Sequence, residues 1–125
     1  MPVIWVKAPD VKKRVLKIVK KLNISSITSS NIYCFRSSNS KTKAFARIWG
    51  LSKIWQIALK REACYIIEVI SERYDNLKLD EKDKILLHEL NHIPKNFSGS
   101  LLPHYRKGKN NFNKKLKLLL NSYYK

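Results

Sequence analysis

Nowhere does the chain carry an apolar run near the roughly 20 residues that a membrane-spanning helix requires. The opening stretch, Met1 to Lys7, is also too short for the apolar region of a secretory signal, so cytoplasmic residence is expected. Cysteine is scarce. Cys34 and Cys64 both lie in strand-like runs and are expected to be reduced packing residues rather than a disulfide. No internal repeat and no domain-scale linker interrupts the 125 residues, so residues 1–125 are expected to form one domain with its own core.

Acids are the most telling shortage. There are 9 against 26 Lys and Arg, for a net charge of +17. Residues 1–61 hold a single acid, Asp10, and no acid follows Glu89. Such a field favours anionic partners, and non-specific nucleic acid is one expectation. The clearest basic surface is residues 10–22. Val11, Val15, Ile18, Val19 and Leu22 form an apolar stripe, with Lys12, Lys13, Lys17 and Lys20 on the other side as candidate phosphate contacts. Asp10, after Pro9, is the expected N-cap of this helix.

Histidine is rare too, yet its placement is specific. Two of the three histidines fall in His88-Glu89-Leu90-Asn91-His92, an H-E-x-x-H pattern. At this composition chance would supply roughly 0.003 such matches. On a helix, residues i and i+4 share one face, so the two imidazoles can grip one Zn²⁺. Glu89, beside the first of them, can then act as general base on a water at the metal. A pair of merely structural histidines is the plainer alternative, but a buried helix seldom carries His, Glu and His together, because all would be desolvated. Asp80 is the expected N-cap, with Asp83 in a capping-box relation, and Pro94 is expected to end the helix. Ile85, Leu86, Leu87, Leu90 and Ile93 make it apolar on more than one side, as in a buried helix.

A catalytic zinc usually takes three protein ligands and leaves one position open. The absence of any acid beyond Glu89 closes the arrangement completed by a downstream glutamate. Ser98 stands where the metzincin pattern needs a histidine. His104, beyond the Ser98-Gly99-Ser100 turn, is left as the third candidate ligand. Tyr105 and Arg106, beside it, are candidate oxyanion or substrate contacts.

The remaining pattern predicts strands over Asn31 to Arg36, Ala44 to Leu51, Lys53 to Leu59 and Cys64 to Ser71, with Lys60 to Ala63 as a hairpin turn. A last helix is expected from Asn111 to Tyr124, with Phe112, Leu116, Leu119 and Leu120 on one side. The fold class is therefore α+β: three or four mainly antiparallel strands packed against the motif helix, with N- and C-terminal helices. The hairpin of residues 53–71 is the expected edge for an extended peptide.

Several blocks together are similar to a known family. They are Arg36-Ser37, Ala46 through Leu51, Ile67 through Glu72, and above all His88 through Lys95 followed by Phe97-Ser98-Gly99 and Pro103-His104. The chain from about Asn31 to Arg106 resembles the phage-type metallopeptidases, small zincin-like domains of phages and archaea. The resemblance implies zinc on His88, His92 and His104, with Glu89 catalytic. Peptide hydrolysis is then the expected activity. The rival expectations are a basic nucleic-acid-binding module with a structural metal, and a protease acting on DNA-associated proteins.

Overall fold

A computed structural model describes residues 1–104 and 111–124. The candidate contacts Tyr105 and Arg106 lie outside the described residues. The elements run β1 (Ile4–Lys7), α1 (Pro9–Leu22), β2 (Ile32–Ser38), β3 (Ala46–Gly50), α2 (Lys53–Leu59), β4 (Tyr65–Ile70), α3 (Ser71–Tyr74), α4 (Leu79–Leu90) and α5 (Asn111–Tyr123). The protein is α+β. Its sheet has the order β1-β2-β4-β3. The pairings β1–β2 and β3–β4 are antiparallel, but the central β2–β4 pairing is parallel, so the sheet is mixed.

Burial explains which elements form. In α1, Val11, Val15 and Ile18 recur at helical spacing and are fully covered. They meet Ile32, Cys34, Tyr65, Ile67 and Val69 from the sheet, and Leu86, Leu87 and Leu90 from α4, in one core. Each such side chain contributes about 1.5–3 kcal/mol when fully buried. Cys34 is buried in β2 as expected, whereas Cys64 lies just before β4 and is only half-buried; both are free. Among the described residues, no helix is long and apolar enough to cross a membrane.

Several local expectations are corrected. Residues 53–59 form a helix, not a strand. The alternation of Trp55, Ile57 and Leu59 carried no burial information, since all three are exposed. Only Gln56 of α2 is buried, and Lys60–Ala63 links α2 to β4 rather than turning a hairpin. The sheet edge beside α4 is consequently β3. Strand β1 went unforeseen because its four residues are all exposed and only pairing with β2 makes them a strand.

The caps differ as well. Ala8, not Asp10, is the N-cap of α1, with Pro9 in the first turn, where its missing N–H costs nothing. Asp10 instead accepts from Arg36 Nη1 at 2.9 Å, and Arg36 also binds Asp75. Lys78, not Asp80, caps α4, and its N–H donates to Glu81 at 3.1 Å. Asp83 is no capping residue: it turns inward to Arg14 and Tyr123. The basic side of α1 is also less uniform than its sequence. Leu16 is exposed there, and Lys12 Nζ donates to the carbonyls of Ser29 and Ile32, whereas Lys13, Lys17 and Lys20 are exposed.

Candidate metal centre

Helix α4 ends at Leu90, earlier than Pro94, and the chain leaves it through a tightened turn. The N–H of His92 bonds to Glu89 O at 3.1 Å, and that of Ile93 to Leu90 O at 3.1 Å. His92 thus sits just past the helix yet stays one turn above His88, their ring centroids 5.2 Å apart. Residues 94–103 then swing back and bring His104 to the same place. His88 Nε2 and His104 Nε2 lie 2.8 Å apart. Ligand-capable atoms of His88, His92 and His104 all fall within 4.8 Å of one another.

The donor set suits a metal ion. His92 Nδ1 lies 2.5 Å from the carbonyl oxygen of Leu102, and the N–H of Leu102 returns a bond to the His92 carbonyl at 2.7 Å. A carbonyl only accepts, so Nδ1 carries the proton and Nε2 keeps its lone pair for a cation. Burial holds the pKa of His88 down to about 4, helped by the two neighbouring imidazoles. It lowers that of His92 also. Both rings are therefore neutral at neutral pH, the form that binds metal.

Two further groups complete the surroundings. The Phe112 ring of α5 packs on all three imidazoles, with centroids 5.1, 4.4 and 4.9 Å from His88, His92 and His104. Asn91, buried inside the motif, donates from Nδ2 to the Phe112 carbonyl at 3.1 Å and so ties α5 to the cluster. Glu89 is buried, and burial alone raises its pKa to about 7. With His88 it lines a hollow of about 380 Å³ whose other walls include Phe45 and Ala46 at the start of β3, Ile85, and Leu116 and Leu120 of α5.

The sequence did not reveal what steers the returning loop. Gln56 Nε2 donates to Leu51 O at 2.7 Å and Ser98 O at 2.8 Å. The Tyr65 hydroxyl accepts from Gly99 N–H at 2.8 Å and donates to Ser100 O at 2.8 Å. Gly99 has φ +94°, and a Cβ there would overlap the Leu51 carbonyl. A Cβ on Gly50 would strike the Gly99 carbonyl. The two glycines carried a signal in the sequence, Gly50 as a bulge or turn in a strand-like run and Gly99 as part of a turn; Gln56 and Tyr65 looked like strand residues. In a Tyr65→Phe variant the buried Gly99 N–H loses its acceptor, at a cost of about 1–3 kcal/mol. The loop then holds His104 less firmly, and affinity of the cluster for a metal ion should fall about tenfold. Competition with a chromophoric chelator measures this; unchanged affinity would show that the clamp does not position His104.

Three imidazoles converging beside a buried carboxylate make a candidate metal centre. A comparison with protein families agrees in kind. The model of the family described as putative phage metallopeptidase matches residues 3–119, and the chain belongs to that family. No curated protein and no solved structure matches it significantly.

Proposed function

We propose that the protein is a zinc-dependent peptidase of zincin-like design, with His88, His92 and His104 as metal ligands and Glu89 as general acid–base. The observation that carries this reading is the convergence of the three imidazoles next to Glu89 at the mouth of a hollow under an edge strand. Zinc at this site would supply Lewis acidity and bring the pKa of a bound water from 15.7 to about 7.

The chain's own residues account for the rest. Glu89, which burial makes a stronger base than a solvated carboxylate, would take a proton from the attacking water and return it to the departing amine. The Leu102 carbonyl holds the His92 ring in the tautomer that leaves Nε2 free. Among the described residues strand β3 pairs with β4 on one side only, so its other side would offer backbone groups to an extended peptide. Phe45, Ile85, Leu116 and Leu120 would receive an apolar side chain beside the reacting bond. A purely structural zinc would call for a fourth protein ligand. Among the described residues the cluster holds three.

Metal removal tests the proposal. Protein purified without chelator should carry about one zinc per chain. A chelator should abolish hydrolysis of an unfolded protein substrate, and added zinc should restore it. Equal cleavage by the metal-free protein would refute the assignment.

A further inference from the structure

The helices pack on one face of the sheet, and much of the other is exposed, although Ser37 and Ile70 at one end of it are buried. Alternate residues of a strand share a face, and the register matches them across strands. Trp5 lies opposite Ser37, Lys7 opposite Phe35, Tyr33 opposite Ile66, and Trp49 opposite Ile66. These side chains, with Glu68 and Arg47, therefore stand on the open face. Trp5 is 56% exposed, Trp49 51% and Tyr33 39%. Between the two indoles lies a hollow of about 350 Å³, floored by Phe35, Ile66 and Glu68, which crosses all four strands. A second hollow, of about 400 Å³, opens at the end of the sheet beside Lys7, Tyr33 and Phe35, with Pro9 and Lys12 of α1 also in its wall.

Charge says what covers this face. Its one acid by register, Glu68, is buried and neutralised: it accepts from Arg47 Nε at 2.9 Å and Trp49 Nε1 at 2.9 Å. Lys7 is exposed, and exposed Arg61 lies over the Tyr33 ring, 5.4 Å from its centroid, and donates to its hydroxyl. The face thus presents aromatic rings interleaved with cations, on a chain of net charge +17. A second copy would bring like charges together. A lipid surface takes a protruding apolar helix more readily than a hollow with a carboxylate in its floor. Stacked bases and a phosphate backbone match both the rings and the cations.

We propose that the open face of the sheet is a platform for single-stranded nucleic acid. Bases stack on Trp5, Phe35, Trp49 and Tyr33, and Lys7 and Arg61 take the phosphates. The proposal is independent of the peptidase reading, uses no metal, and centres on the hollow between the two indoles, which has no α1 residue in its lining.

The test titrates the full chain with a labelled oligothymidylate of about 16 nucleotides, read by anisotropy and by tryptophan fluorescence over a range of salt. Binding should quench tryptophan, and inorganic polyphosphate should not. Trp5→Ala and Tyr33→Ala, both at exposed positions, should each weaken binding at least about fivefold with unchanged circular dichroism. Arg61→Gln should lower the log–log salt slope by about 0.7. Lys13→Gln/Lys17→Gln/Lys20→Gln on α1 should leave the quench intact. Three outcomes overturn the proposal. One is wild-type affinity in both aromatic variants, with binding lost in the α1 variant. Another is no binding to the oligonucleotide. The third is binding only to anionic vesicles, sensitive to Ile54 and Trp55 of the exposed helix α2.

Discussion

Replacing Glu89 with glutamine should lower kcat for peptide hydrolysis by about 10²–10⁴ while leaving zinc bound. That corresponds to about 3–5 kcal/mol of lost transition-state stabilisation. The amide matches the carboxylate in size, so the buried site should keep its shape. It cannot accept and release a proton, however, which is the part proposed for this buried carboxyl. Steady-state kinetics and metal content, measured on one preparation, decide the matter. Undiminished turnover at full zinc occupancy would remove Glu89 from the mechanism. Loss of both zinc and turnover would make it a structural residue.

Asp83→Ala should be the most destabilising single change away from the site. Asp83 is a shared anchor: Arg14 of α1 reaches it with Nε at 3.1 Å and Nη2 at 2.5 Å, and Tyr123 of α5 donates to it at 2.8 Å. Its own side chain is 4% exposed and that of Arg14 24%. Removing the acid leaves a guanidinium and a phenol without their partner, which costs about 3 kcal/mol at the lower end for a broken buried pair. The midpoint of thermal unfolding should drop by about 10 °C or more. Asp83→Asn keeps an acceptor and should fall between. Because Tyr123 and Phe112 belong to one helix, zinc affinity should weaken in step with stability. A melting curve within about 2 °C of the parent protein would show that the three helices are held without this anchor.

Much of this architecture was legible in the sequence because single elements carry their own signals. The stripe of α1, the strands around Tyr33 and Ile67, and the motif helix each bury a periodic set of apolar residues. His104 was legible as the remaining histidine after a turn, and the structure brings it to the other two. What failed was non-local. Nothing in Ile4–Lys7 marks a strand until β2 lies beside it, and nothing marks the central pairing as parallel. Helix α2 was misread because its period-two apolar pattern faces outward, where periodicity has no burial to report. Asp83 resembled a cap because its true partners lie 69 and 40 residues away in the chain. The part played by Asn91 is non-local too: its amide holds the backbone of Phe112, 21 residues further on.

The clamp on the loop before His104 has a consequence for biosynthesis. Gly50, Gln56 and Tyr65 precede all three imidazoles along the chain, and the last sheet strand is complete at Ile70. At roughly 5–20 residues per second, a ribosome adds His104 about 2–7 s after that strand. The mould for the third ligand is thus translated before the ligand itself. A nascent chain halted at about residue 100 would contain the receiving surface and two of the histidines, but it could not close the site around an ion.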